Sequence, residues 1–251
     1  MILRQISCRI LRTAVFFGAL LSGLAGCTSI PLYTDKPFSA DRADFVRTVR
    51  VIALEPMPGL DLKGEAAIQD AFETELTDEL RNLGFLVVPS RQFAQLWQQL
   101  SKEDRTLYDP ITGKRDDARA AEIRKRVVTE LESRHQADAV LLPRMIVSNA
   151  LLSGCFARWN GIEQQIDGCN AAGEKLRGKI SVLSLLVTIE GRDGRVLFRN
   201  AGGIQPGVRL NTDAPGAAQF DKLEEEQILT DRAKNRIAVA VALSPLLQKP
   251  K

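Results

Sequence analysis

The sequence predicts an α/β (α+β) domain: a mixed β-sheet of about four to five strands, helices packed over it, and a C-terminal β-hairpin followed by a helix. Three observations lead there. Short β-branched runs alternate with one-sided apolar stretches of helical period through the first half of the chain. Residues 180–189 are apolar on both alternating faces, as in a strand covered on both sides. Asp193-Gly194 then separates two strand-like runs, a signal for a two-residue type I′ turn.

In chain order, Val49-Arg50-Val51-Ile52-Ala53-Leu54 is the first strand, stopped by Glu55-Pro56-Met57-Pro58-Gly59. Ile68, Phe72, Leu76, Leu80 and Leu83 form one stripe of a helix that Gly84 ends. Phe85-Leu86-Val87-Val88 is a short strand, and Ser90 is placed to cap a helix whose inner face is Phe93, Leu96, Trp97 and Leu100. Residues 101–118 are polar and turn-rich, a surface excursion. A helix over about 119–135 uses Ile123, Val127 and Leu131. Ala139-Val140-Leu141-Leu142 resumes strand character and continues through Met145-Ile146-Val147 despite Pro143. Residues 183–190 pair with 196–204 across the Asp-Gly turn, and a last helix covers about 222–247 with Ile228, Ile237, Val241 and Leu247 inward.

The first 26 residues are not part of this domain. Residues 1–12 carry Arg4, Arg9 and Arg12 without an acid, and residues 13–26 carry no charge. That is the layout of a secretory signal, and about 14 uncharged residues fall short of the roughly 20 a membrane-spanning helix needs. Leu24-Ala25-Gly26-Cys27 at its end resembles a bacterial lipobox. The resemblance implies cleavage before Cys27, covalent lipid on its thiol, and, with Thr28 following, an outer-membrane anchor facing the periplasm. An uncleaved anchor is the competing reading. Residues 27–47 are expected to be the lipidated tether, unless Phe38 and Phe45 pack onto the domain; residues 48–247 are the domain and 248–251 a tail.

The net charge of +3 comes from the signal, since 31 basic and 31 acidic side chains remain without its three arginines. No basic footprint points to nucleic acid. With Cys8 in the signal and Cys27 taken by lipid, Cys155 and Cys169 remain, an even pair in an exported chain. The polar, glycine-containing stretch between them reads as a loop that a disulfide closes; two separate buried thiols, or a redox-active pair without a CxxC motif, are the alternatives.

Signals for catalysis are weak. His135 is the sole histidine and sits at a predicted helix end, where it suits the helix dipole. Neither Ser153 nor Ser184 has the glycine context of a nucleophile elbow, and Thr112-Gly113-Lys114 lacks the first glycine of a phosphate loop. Gly202-Gly203-Ile204-Gln205-Pro206-Gly207 reads as a strand exit or bulge rather than an anion cradle. Asp167, Glu163 and Glu190 are carboxylates of the kind a glycosidase pairs, with nothing in the sequence pairing them. Glu224-Glu225-Glu226 reads as a solvated helix start. No catalytic, metal or cofactor residue is assigned, and no cofactor is expected beyond the lipid on Cys27.

The strand VRVIALEP, the helix, the strand FLVVPS, the next helix, ADAVLLPRMIV, the Asp-Gly hairpin and the closing helix together resemble a known periplasmic domain. It is shared by the curli secretion lipoprotein, the lipoprotein activator of penicillin-binding proteins and the amino-terminal domain of the Tol translocation protein. That group carries a strand G-A-D-x-[VIL]-[VIL]-x-G; Gln136-Ala137-Asp138-Ala139-Val140-Leu141-Leu142-Pro143 keeps the Ala-Asp pair and the apolar run and departs at both glycines. Over residues 49–247 the resemblance implies a non-catalytic domain that docks on envelope proteins or self-assembles. The expected partners are therefore the bilayer, through the acyl anchor, and an envelope protein, with an oligomer as an option. The surfaces expected to serve are the 101–118 excursion and the 155–169 segment, with Phe156 and Trp159 as anchors unless both rings fill core. A hydrolase of cell-wall glycan or peptide is the alternative, and a self-assembling secretion component the other.

Overall fold

A computed structural model describes residues 36–104, 106–169, 176–211 and 219–247. The signal, the lipobox and Cys27 lie outside the described residues. The elements are α1 (Arg42–Thr48), β1 (Val51–Leu54), α2 (Glu65–Asn82), β2 (Leu86–Val88), α3 (Ser90–Glu103), α4 (Asp117–His135), β3 (Ala139–Ser153), β4 (Phe156–Trp159), β5 (Ile162–Gln165), β6 (Arg177–Gly191), β7 (Val196–Pro206), β8 (Val208–Asn211), β9 (Gln219–Lys222) and α5 (Arg232–Leu247).

The fold is the mixed α+β arrangement expected. Its centre is an antiparallel ribbon in which β3 and β6 pair over 15 residues without a slip, from Ala139↔Gly191 to Ser153↔Arg177. At about 3.4 Å per residue this ribbon is about 50 Å long. β7 lies along the outer edge of β6, and β1 and β2 add in parallel to the other edge, at the start of β3. Helices sandwich this near half. On one face α2 and α5 bury Phe72, Leu76, Leu80, Val239 and Leu243 against Leu141, Val187 and Ile189. On the other, α3 and α4 bury Phe93, Leu96, Ile123, Val127 and Leu131 against Val140 and Leu142.

Beyond the helices the same ribbon continues, and there the sequence reading needs correcting. Residues 149–153 and 179–182 alternate exposed and buried as strand, a period hidden in the sequence by the adjacent Leu151 and Leu152. The cysteine segment is a hairpin, β4–β5, paired to the end of β3. Its turn is Asn160-Gly161, with φ of 39° and 80°, the two positive angles a type I′ turn requires. The Asp193-Gly194 turn is of another type: Gly194 N–H donates to Gly191 O at 2.9 Å, and within the turn Gly194 alone has a positive φ, 77°.

Three further local readings change. From Lys36 onward the expected tether is docked: Phe38 bridges to Phe198, and their ring centroids lie 5.2 Å apart, with Phe45 buried beside them. Arg42 donates to Pro245 O and Leu246 O at the last turn of α5, where carbonyls have no helical partner. Ser90 is inside the first turn of α3 rather than its cap; its N–H and hydroxyl both donate to Glu73. The last helix begins at Arg232, after β9, and buries Ala238, Val239, Ala242, Leu243 and Leu246, while Ile237 and Leu247 face solvent.

That last correction has a steric cause. A Cβ on Gly202 would overlap the carbonyl oxygen of Ala238, so β7 and α5 touch backbone to backbone. A Cβ on Gly203 would overlap Ile162 on the opposite side, where the β4–β5 hairpin folds over. The glycine-rich motif is thus a bulged strand clamped from both faces: Leu183 pairs with Gln205 and Ser184 with Gly203, leaving Ile204 as the extra residue. Gly202→Ala is expected to lower stability by about 2 kcal/mol through overpacking, read as a lower urea midpoint with an unchanged slope.

Candidate functional site

Three strands build the far half of the ribbon, and its two faces differ. The inner face carries Ala150, Leu152, Ala157, Trp159, Ile180 and Val182, buried with Ile166 and the two cysteines. Cys155 and Cys169 form the disulfide, with Cα atoms 5.6 Å apart, so the pair ties the start of β4 to the segment after β5. Hydrogen bonds latch the hairpin to the bulge: Trp159 Nε1 donates to Leu183 O at 3.2 Å, Gln164 Nε2 to Ile204 O at 2.7 Å, and Gly203 N–H to Asn160 O at 3.0 Å. Asn160 Nδ2 also donates to the Oγ of fully buried Ser184 at 2.7 Å.

Among the described residues no element covers the outer face. Val147 and Leu151 are 70% and 69% exposed, and Phe156, cross-strand from Ser153, is 46% exposed. Around them stand Asn149, Ser153, Arg158, Arg177, Lys179 and Ser181, all exposed. Arg158 is paired with Glu163. Three large apolar side chains spaced along one exposed sheet face, rimmed by polar and basic residues, have the composition of a protein-binding patch. The two anchors named from the sequence therefore part company: Phe156 stands on the surface, whereas Trp159 fills the core beneath the hairpin. The sequence reasoning missed Val147 and Leu151, because their strand partners come from residues 177–183, far along the chain.

The other candidates are placed as follows. In the 101–118 excursion Leu107 is buried, and Tyr108 and Ile111 are exposed around a turn that Asp109 holds by accepting from Ile111 N and Thr112 N. Gly113 is in that turn, with φ of 67°, and no helix opens there. His135 ends α4. Asp138, of the Ala-Asp pair, accepts from Arg50 N and Val51 N and from Arg192 Nη2, joining the starts of β1 and β3 to the β6–β7 turn. Gln136 takes the helix-ending left-handed conformation, φ 55°, that glycine adopts at less cost.

The three carboxylates do not converge. Glu190 is bonded to Arg124, which also holds Glu55 at 2.8 Å. Glu163 adjoins Ile162, which lies against Gly203, the partner of Ser184; Glu190 is six residues further along β6, about 20 Å away. Glycosidase carboxyls work at roughly 5–9.5 Å. Asp167 lines a polar cleft of about 610 Å³ with Arg209, Asp221, Glu226, Asp231 and Lys234. Glu224–Glu226 begin a short 3-10 turn before α5. Among the described residues no group of three or more His, Cys, Asp or Glu is placed to hold a metal, and no helix is long and apolar enough to cross a membrane.

Burial holds the Glu55 carboxyl above its ordinary 4.5, against the pull of Arg124 and with Glu190 adding to the rise. Just above pH 4.5 the folded chain therefore binds more protons than the unfolded one, and this group's contribution to stability falls as pH rises through its folded pKa. Glu55→Gln is expected to flatten that part of the stability–pH curve, measured by urea unfolding at steps from pH 4 to 7. Replacing Cys155 and Cys169 together by serine is expected to cost about 3 kcal/mol, the order for a closed loop of about 15 residues; the parent chain, denatured without reductant, should show neither thiol to Ellman's reagent.

No protein-family model matches the chain, and no curated protein matches it in sequence. Among solved structures, a crystal structure of a Helicobacter pylori homolog of a neuraminyllactose-binding hemagglutinin is similar over 80% of this chain and 87% of its own, with 15% identity and a TM-score of 0.32. At that level of superposition the likeness carries no argument about what this chain does.

Proposed function

We propose that the chain is a non-catalytic lipoprotein of the outer membrane, held on the periplasmic face by lipid on Cys27, whose domain docks on an envelope protein. The observation that carries this reading is the outer face of the far half of the sheet, where Val147 and Leu151 of β3 and Phe156 of β4 stand exposed on one side. A monomeric enzyme has no use for three large apolar side chains on an exposed sheet face, whereas a docking module does. The lipobox residues Leu24-Ala25-Gly26-Cys27 support the anchor, and permanent attachment takes more than one acyl chain.

In-cell photo-crosslinking from Phe156 in the full-length lipoprotein tests the reading. A single dominant envelope protein, identified by mass spectrometry, is the expected product. Leu151→Asp should abolish that adduct while leaving the unfolding midpoint within about 0.5 kcal/mol, as for other exposed positions. Cys27→Ala should release the protein from membranes after a carbonate wash. A ladder of self-adducts would instead favour assembly of the chain with itself.

A further inference from the structure

Hydrogen-bond parity along β3 exposes an edge that no described strand covers. Glu55 N–H donates to Leu141 O at 2.9 Å, so Leu141 turns its main-chain groups toward β1. At the far end Gly154 N–H donates to Leu176 O, so the even-numbered residues turn toward the β6 side. The β3–β6 register has no slip between these points, and parity is therefore kept throughout. The main-chain groups of Pro143, Met145, Val147 and Asn149 all point away from β6. On that side β1 stops at Leu141 and β4 begins at Leu151. Residues 142–150 between them form a recess about 30 Å long in the sheet edge. Pro143 offers a carbonyl only; Met145, Val147 and Asn149 each offer an N–H and a C=O with no partner among the described residues.

We propose that this recess receives one extended segment of the docking partner as an added strand, a reading that rests on the docking function above. An open row of alternating donors and acceptors recognises another strand by main-chain hydrogen bonds, and the pockets beside it select alternate side chains. The occupant is a single segment and not the β3 edge of a second copy. A second β3 brings its own β1 and β4, and these would collide with β1 and β4 at the two ends of the recess. Charge then selects the segment. Arg144 is exposed near one end of the recess, on the face of Ala150 and Leu152, and Lys179, across β3 from Leu151, is exposed near the other end on the opposite face, that of Val147. Neither β3 from Leu142 to Ser153 nor β6 from Arg177 to Val187 carries an acid. Val147 lies in the middle. The segment that fits is about eight residues long, apolar on alternate positions at its centre and acidic at both ends, so that its two acids face opposite sides of the sheet as Arg144 and Lys179 do.

The test uses the full-length lipoprotein in detergent and two acetylated octapeptides, EVTVTVTE and KVTVTVTK. The acidic peptide is expected to slow amide exchange at Met145, Val147 and Asn149 at least tenfold and to bind at least fivefold more tightly than the basic one. Val147→Pro, which deletes the central donor, should weaken binding at least tenfold. Arg144→Glu combined with Lys179→Glu, which leaves the backbone alone, should reverse the preference between the peptides. Unchanged exchange at the three amides with millimolar peptide, or equal binding of both peptides, overturns the proposal. So does concentration-dependent dimerisation that the acidic peptide competes away, which would make a second copy the occupant. Retention of the Phe156 crosslink when the peptide fails leaves the docking reading standing and removes the edge; peptide binding without any envelope crosslink does the reverse.

Discussion

Fifteen consecutive residue pairs join β3 to β6, and most of the other described elements pack on a face or an edge of that ribbon. A strand pair about 50 Å long exposes two faces and two edges, and each apolar face left wet loses the burial that drives folding. Over the near half the four larger helices bury both faces. Over the far half only the inner face is covered, by a hairpin tied back with a disulfide. The outer face and part of one edge stay open, and both candidate interaction surfaces follow from that shortfall.

Covering the ribbon from two sides depends on two adjacent glycines. Gly202 lets α5 approach β7 to backbone contact on one face, and Gly203 admits Ile162 and Trp159 on the other. The bulge at Ile204 leaves backbone groups out of register, and the hairpin supplies the partners: Gln164 donates to the Ile204 carbonyl, and Asn160 O accepts from Gly203. The latch therefore satisfies polar groups as well as burying the indole. The half-buried Arg124 between Glu55 and Glu190 does a related task at the other end of the ribbon, holding α4 to the end of β1 and to β6.

Much of the architecture was legible along the chain. The stripe Ile68, Phe72, Leu76 and Leu80 is buried as its spacing predicts, and so are Ile123, Val127 and Leu131, because a helix against a sheet shows its inner face as a local period. α5 was misread for a physical reason: close approach at Gly202 demands small residues, so the buried stripe is Ala238 and Ala242 while the larger Ile237 faces out. Asn160-Gly161 is a turn pair of the same kind as Asp193-Gly194, yet the polar, glycine-containing stretch around it reads as a loop. Of the candidate docking residues, Phe156 was visible and Val147 and Leu151 were not, since exposure on a sheet depends on which elements fail to cover it.

The sequence by itself determined the α+β class, the order of the main elements and the Cys155–Cys169 pair, all of which follow from periodicity, turn chemistry and residue type within short windows. The tertiary structure decided the length of the β3–β6 ribbon, the inward turn of Trp159, the docking of Phe38 and Phe45, and the row of unpaired main-chain groups at Met145, Val147 and Asn149. Those depend on pairings between residues tens of positions apart and on backbone parity, which no local pattern of side chains encodes.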